Sequence, residues 1–600
     1  MFAGAIFSVC LGVALVQSSL LLLITAATMD PPAGLGPAEI MLFEDGKAAT
    51  ISMLGVVMGC AGFLAIFIIS STFAFTVDQR RRDLALLRLT GGSRGQVRRK
   101  LLGEAVLLGT LGAAIGIPLG LVVMAAQAWM MRTMGFVPDG FRGEWRMWVV
   151  GASIGTGLVL AVSGAMTAAH RAARVRPLEA LRETGEGARV MTAGRWIAGL
   201  LFLAGAVTLV LVAPHGGPDG GMALAMNAPL CAAVAAAAFS PVLVPAVARL
   251  IPGRADSLAH ANLRDGRRRS ASVAAPVIVL VTLVVGQAGA QLSFTKAAIE
   301  EQQRLVKADF VVKNEIRSVA GVKTASIETE IPGRVTTGDG EDRETDTVTI
   351  LAVDPVAYNA VHPGNVVNGV TAGPGGDIGP GTVELELPGY RRSEITVAGE
   401  VPVALSGGAD LLIPRDMLPA ELLASAPART LVQVEEGADP TAALSEFGQV
   451  VTVGDWLAEE ARARNSISNK IMVLVLGLGA VYALVGVVNA VVIGAAARRR
   501  EFAEARVTGL SRPQVVRSAL AESAMVTVTG VVLGLVAAGA AFLAILSATA
   551  AVTGRGTLDF PWLLLAGVTA LTLLASSVTS VFTSWSATRE RPVLLLGARE

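Results

Sequence analysis

Apolar positions in this chain fall into long uninterrupted stretches, not the alternating or one-faced patterns of a water-soluble fold. A helix needs about 20 consecutive apolar residues to cross a bilayer core. Ten stretches qualify, near 2–28, 51–77, 103–130, 147–168, 196–213, 222–248, 272–292, 470–494, 516–546 and 561–583. The first starts at Phe2 with no basic segment before it and no clear small-residue cleavage site, so it reads as a retained span. Between the seventh and eighth stretches lies one long polar insert, 293–468. Its helical pattern over Phe294–Lys307 gives way to β-rich runs at Asp309–Lys313, Lys323–Thr337, Thr345–Val353, Thr382–Leu387 and Thr430–Val434. Pro374-Gly375-Gly376 and Gly379-Pro380-Gly381 punctuate these runs as turns. The pattern predicts a helical polytopic membrane protein carrying one compact α+β domain.

Composition agrees. The 600 residues are 53% hydrophobic and 16% charged, against roughly 25% charged in a soluble chain. Mean hydropathy is +0.60. These values exclude a disordered chain, a secreted disulfide scaffold and an ordinary soluble enzyme. Cys10, Cys60 and Cys231 lie inside apolar runs and read as small buried residues. The 42 Arg against 7 Lys, with abundant Ala and Gly, point to a GC-rich bacterial genome.

The net charge of +1 conceals a segregation that sets orientation. Loops 78–101, 169–195, 249–271, 495–517 and 584–600 hold 8, 6, 6, 6 and 3 basic residues. The opposite short loops hold only Lys47, Arg132, Arg142, Arg146 and Arg555. Short basic loops stay in the cytoplasm. Both termini are therefore expected there, with 293–468 extracellular. That insert has 14 basic and 27 acidic residues, which reads as a solvated acidic surface more readily than as a cation-steering field.

Shifted by 418 residues, two segments align without a gap: Arg80–Gly116 and Arg498–Gly534, identical at 16 of 37 positions. The identities include Arg88/Arg506, Thr90/Thr508, Gly91/Gly509, Ser93/Ser511, Arg94/Arg512, Gln96/Gln514 and Glu104/Glu522. A weaker echo joins Arg176-Pro177 to Arg591-Pro592. The repeating unit is three spans, 51–182 and 470–600, with both copies facing the same way: a parallel repeat. In each loop a basic helix leaves the membrane and turns at Gly91 or Gly509, where positive φ is expected. Ser93 and Ser511, each three residues before a Gln, read as capping boxes that start a second helix. Pro513 suits the first turn of that helix. One such loop is explained equally well as an anchor to anionic lipid, whereas two with the same cap chemistry favour docking of a two-fold partner. Gly112, Gly116 and Gly120, and likewise Gly530 and Gly534, place small residues along one helical face for close packing. Glu104 and Glu522 sit near helix starts, where an acid is favoured and arginines are near.

At these residues the chain resembles the FtsX-like (MacB-type) permeases of ABC transporters. The resemblance implies that Arg88, Gly91, Ser93, Arg94, Gln96, Arg506, Gly509, Ser511, Arg512 and Gln514 form two coupling elements seated on an ATPase subunit, one copy per repeat. Ten spans, two FtsX-like units and one domain between spans seven and eight are similar to the BceB group. The expected division is 1–50 for the first span and its outer loop, 51–182 for the first permease unit, 183–292 for a linker and three spans, 293–468 for the extracellular domain and 470–600 for the second unit.

No G-x-x-x-x-G-K-[ST] loop occurs, and the predicted cytoplasmic loops are too short for a nucleotide-binding domain. ATP is expected on the partner, with no cofactor or metal bound directly, no catalytic residue and no nucleic-acid partner. The expected function is to couple that hydrolysis to export or extraction of an amphiphile: a peptide antibiotic, a lipid-linked molecule or a lipoprotein. The alternative is a signalling or scaffold protein of the FtsX type, acting on a sensor kinase or a cell-envelope protein with nothing crossing the membrane. An ion-driven transporter is disfavoured because the spans are expected to lack buried titratable residues. An enzyme is disfavoured because His170, His215, His260 and His362 are scattered in the sequence.

Overall fold

The computed structural model describes residues 2–32, 34–79, 86–87, 89–135, 137–138, 140–174, 191–249, 266–316, 319–338, 343–375 and 378–589. Among the described residues seven helices precede the sheet region: α1 Phe2–Ala27, α2 Pro37–Gln79, α3 Arg94–Thr133, α4 Met147–Arg174, α5 Ala193–Val212, α6 Gly217–Ala248 and α7 Arg267–Leu305. Within it lie three short helices, α8 Pro355–Val361, α9 Ala420–Ser425 and α10 Thr441–Ser445. Four follow: α11 Val453–Ala497, α12 Arg499–Val507, α13 Arg512–Thr553 and α14 Trp562–Ala587. Among the described residues eight helices are long and apolar enough to span a membrane, namely α1, α3 to α7, α13 and α14. The other two apolar stretches of the sequence lie inside α2 and α11, which pack against each other.

The helices outrun the stretches that announce them. With 43, 40, 39, 45 and 42 residues, α2, α3, α7, α11 and α13 each extend for about 60 Å, roughly twice the bilayer core. The amphipathic segment after span seven is thus no separate helix. It continues α7 without a break to Leu305. Similarly, α11 begins at Val453, well before its apolar part.

Glycine faces decide which helices meet. Lipid offers no hydrophobic drive for helix association, so close backbone approach and interhelical hydrogen bonds take its place. A Cβ at Gly112 would stand 2.7 Å from Val9 Cγ1, one at Gly116 2.7 Å from the Cys10 carbonyl, and one at Gly120 3.2 Å from the Ala14 carbonyl. On α13, a Cβ at Gly530 would stand 2.9 Å from Val277 Cβ and one at Gly534 2.9 Å from the Ile278 carbonyl. Thr282 Oγ1 donates across this contact to the Gly534 carbonyl at 3.1 Å. Gln17 Nε2 does the same at the first contact, to the Ile117 carbonyl at 3.2 Å. In both contacts residue numbers rise together, so α1 runs parallel to α3, and α7 parallel to α13.

The ends of the bundle follow from this. Asn489, near the end of α11, donates to Ser8, near the start of α1, at 3.3 Å. The end of α11 and the starts of α1 and α3 therefore share one end of the bundle. The sheet region sits at the other end, where Arg334 pairs with Glu44 of α2. There too Leu405 N–H donates to Glu301 of α7 at 2.7 Å, and Thr557 to Glu300 at 3.1 Å.

The surroundings of the two glycine-faced helices differ. Helix α6 packs along α13 and α7, with Ala225 and Ala228 against Ala541, Ala544 and Ala548. Thr529 and Leu533 of α13 are 0% and 6% exposed, and Leu533 clusters with Val244 and Ala248 of α6. The corresponding Leu111 and Ile115 of α3 are 45% and 54% exposed.

The sheet region has ten strands in the order β10-β1-β9-β2-β3-β8-β4-β7, with β5 on β2 and β6 on β5. The strands are β1 Phe310–Val312, β2 Val322–Thr337, β3 Glu344–Val353, β4 Thr371–Ala372, β5 Gly381–Glu386, β6 Ser393–Val397, β7 Gly399–Glu400, β8 Leu411–Pro414, β9 Ala428–Val434 and β10 Val450–Thr452. The long strand β2 is the organiser. Its first half pairs with β9, its second half with β3 and, over Arg334–Thr336, with β5. Ile331, Val335, Ile350, Leu385 and Leu411 form the main core on one face.

Gly534→Val should therefore destabilise the chain by about 1–3 kcal/mol or more through overpacking against α7. Gly539→Ala on the same helix, where a Cβ would meet nothing within 4 Å, should be neutral or stabilising, because Ala favours a helix interior by about 1 kcal/mol. Thermal unfolding of the solubilised protein measures both. Equal losses would show that backbone proximity is not what holds α7 to α13.

Candidate docking face

The two loops share one backbone plan. In the first, Thr90 N–H donates to the Leu86 carbonyl and Gly92 N–H to the Leu87 carbonyl, both at 3.0 Å. In the second, Thr508 N–H donates to the Glu504 carbonyl at 3.0 Å and Leu510 N–H to the Ala505 carbonyl at 3.1 Å. Gly91 and Gly509 adopt φ of +95° and +103°, the left-handed conformation that closes the preceding helix. The next helix then starts. Ser93 N–H donates to Gln96 Oε1 at 2.8 Å, and Gln96 N–H returns a bond to Ser93 Oγ at 3.2 Å. Ser511 N–H donates to Gln514 Oε1 at 2.8 Å, and the Ser511 hydroxyl reaches the same oxygen at 3.0 Å. Pro513 occupies the first turn of α13, where it gives up no helical bond.

The exposed surface of these elements is basic. Arg94, Arg98, Arg99 and Lys100 point outward from α3 while Val97 and Leu101 turn inward. Arg512 and Arg517 are exposed on α13, with Val515 and Ala519 inward against Phe502 and Ala587. Gly91, Ser93, Gln96, Gly509, Ser511 and Gln514 are exposed at the same tips. The glutamines spend their carbonyl oxygens on the boxes. Arg506 is used within the chain, donating to the Thr588 carbonyl at 3.0 Å. Arg88, Arg176-Pro177 and Arg591-Pro592 lie outside the described residues.

Two features have no counterpart in the sequence reading. Helix α14 turns a stripe of hydroxyls, Thr572, Ser576, Ser580 and Ser584, toward the bundle. Of these, Ser576 accepts from Thr527 at 3.0 Å and Ser580 donates to the Ala519 carbonyl at 3.2 Å. A four-residue period of Ser and Thr within span ten was its signal. Arg498, counted as one more loop cation, is buried: its Nη1 lies 2.9 Å from Glu522 Oε2 and its Nε 2.9 Å from Glu501 Oε2.

In the sheet region His362 joins a buried charge cluster. Its Nε2 lies 3.0 Å from Glu328 Oε1, and Arg429 Nε is 3.0 Å from Glu328 Oε2. Arg429 also reaches Glu330 at 2.5 Å and stacks over Trp456 of α11. Burial alone would raise the Glu328 carboxyl, but the His362 hydrogen bond and the Arg429 charge outweigh it and hold the group below its ordinary value. Burial next to Glu328 pushes the Tyr358 hydroxyl up. Among the described residues no group of three or more His, Cys, Asp or Glu is arranged to hold a metal.

Comparison with known proteins bears on the two loop-bearing units. The family described as FtsX-like permease C-terminal matches twice, over residues 48–177 and 473–592. An uncharacterized ABC transporter permease of Methanocaldococcus jannaschii is 29% identical over 143 residues, 24% of this chain and 33% of that protein. The ABC transporter permease YknZ of Bacillus subtilis is 29% identical over 155 residues, 25% of this chain and 34% of that protein. The matches thus span about a third of each curated relative. A crystal structure of a permease domain from Porphyromonas gingivalis is similar over 23% of this chain and 80% of that one, at 19% identity and a TM-score of 0.18, too low to carry any argument. Through its two units the chain is similar to the FtsX-like ABC permease family.

Two outcomes are expected. Gly509→Ala should cost about 1–2 kcal/mol from left-handed strain, and Ser93→Ala about 1 kcal/mol from a lost cap, both read by hydrogen exchange at the loop amides. The Glu328 carboxyl, depressed when folded, contributes stability above its ordinary value of 4.5 that is lost as pH falls below it. Acid unfolding of the full chain should show this loss, and Glu328→Gln should flatten it. An unchanged acid limb in that variant would place the sensitivity elsewhere.

Proposed function

We propose that the chain is the membrane permease subunit of an ABC transporter, driven by ATP hydrolysis on a separate ATPase subunit. One observation carries this reading: two loops of the same capped build present basic tips at one end of a helical bundle whose other end holds the sheet region. Such a pair suits a two-fold partner, one ATPase copy on each tip. On this reading Arg94, Arg512 and their neighbours make the contact, as the family resemblance implies.

Counting the apolar parts of α2 and α11 gives ten spans in two parallel three-span repeats, arranged as in the BceB group. Basic loops then put both termini and the capped tips in the cytoplasm of a bacterial cell, and the sheet region outside the plasma membrane. The unbroken helices α7 and α11 join the tips' end of the bundle to the sheet region, so closure of the ATPase copies would move that region as well as the spans. The work done is export or extraction of an amphiphile from the outer leaflet, with peptide antibiotics, lipid-linked molecules and lipoproteins as the substrate class.

The same unbroken helices also favour a second reading, a transmitter that regulates a sensor kinase or a cell-envelope partner and moves nothing. Release of a labelled amphiphile from cells separates the two.

Reversing charge at both tips, Arg94→Glu with Arg512→Glu, should abolish ATPase co-purification and permease-stimulated hydrolysis while membrane insertion persists. Full activity in that double variant would remove the docking role.

A further inference from the structure

Helix α11 ends at Ala497 and α12 starts at Arg499, so Arg498 is the joint between the span and the arm that carries the second capped loop. Its backbone leaves the helical region, with φ −97° and ψ 5°. Its side chain turns inward and touches two further elements: Glu501 and the Phe502 ring on α12, and Glu522 on α13. A guanidinium forks its donors in one plane, so a single side chain can brace an arm against two neighbours at once.

Beside this pair is a cavity of about 50 Å³, lined by Ser270, Arg498, Glu522, Ser523, Ser580 and Ser584 among others. A water needs at least about 10–15 Å³, so the space admits a small water cluster or a displaced side-chain head. Ser270 Oγ and Ser584 Oγ, on residues 2% and 1% exposed, have no hydrogen-bond partner. Buried hydroxyls are nearly always hydrogen-bonded, so these two can serve a water or a side-chain head that enters the space. The sequence repeats both charged residues of the pair at Arg80 and Glu104 of the first unit.

We infer that Arg498 and Glu522 form a latch that sets the angle of the docking arm against the bundle, and that the hydroxyl-lined cavity receives the guanidinium or its hydrating water when the latch opens. Arg498 is a positioning residue. It transmits force from the arm without contacting the partner. A buried ion pair suits this role better than it suits stabilisation, because it has discrete made and broken states and apolar replacements are often as stable. The inference rests on the docking reading proposed above.

The test uses the full chain with the ATPase that co-purifies with it, in nanodiscs of phosphatidylglycerol and phosphatidylethanolamine. Spin labels at Val481→Cys and Val507→Cys, with the three native cysteines replaced by alanine, report the angle between α11 and α12. In the unmutated pair, ATP with vanadate should shift that distance. Glu522→Gln should broaden the distance, remove the shift and lower ATP turnover per bound ATPase by roughly tenfold. The double variant Arg498→Gln with Glu522→Gln leaves no unpaired buried charge, so its thermal midpoint should recover while turnover stays low. Turnover that recovers with the midpoint, or a distance shift that persists in Glu522→Gln, would overturn the latch. A parent preparation carrying no ATPase would instead overturn the docking reading beneath it.

Discussion

Close approach of backbones across glycine faces is the constraint on which the structure depends. With Gly112, Gly116 and Gly120 against α1, and Gly530 and Gly534 against α7, two pairs of helices are fixed parallel and in register. Lipid supplies no preference of its own for such pairs. Everything at the ends follows from them. Because α3 and α13 each begin at a capped loop and run parallel to a neighbour locked into the same bundle, both loops emerge at one end. Were either face filled with larger side chains, the register would go, and the shared end with it.

The long helices convert that packing into reach. About half the length of α7 and α11 lies beyond what a bilayer core requires, and these are the helices that enter and leave the sheet region. Among the eight candidate spans of the described residues, α7 is the most enclosed: 94% of its apolar stretch is buried, against 17% for α5 and α14. It is therefore a central post, held by α6, α11 and α13, with the sheet region mounted on its far end. Arg334 to Glu44 and Leu405 to Glu301 add side supports to the mounting.

Much of this was legible in the sequence because the signals were local. The apolar stretches, Gly91 and Gly509 with positive φ, and the Ser–Gln boxes each depend on a few neighbouring residues and simple stereochemistry. What was not legible depended on distant partners. The partners of the glycine faces, α1 and α7, lie outside the repeated segments, so the repeat announced a contact without naming its other side. The interior place of Arg498 depends on Glu522 and on where α12 turns, and nothing in the local sequence hints that it faces inward. In the sheet, β2 and β3 are long and alternate. Strand β8, Leu-Leu-Ile-Pro, is buried on both faces and has no period to read. Strands β4 and β7, of two residues each, exist only because β8 supplies an edge. His362 met Glu328 for the same reason: sequence scatter says nothing about which strands become neighbours.

The one-sided seating of α6 has a mechanical consequence. The tips are near twins, but α13 is shouldered by protein at Leu533 and from Ala541 to Ala548, whereas Leu111 and Ile115 of α3 are about half exposed. On the docking reading proposed above, equal pushes at the two tips would meet unequal stiffness. One half would yield on its open side while the other strained a braced wall, and a symmetrical stroke would become a lopsided one.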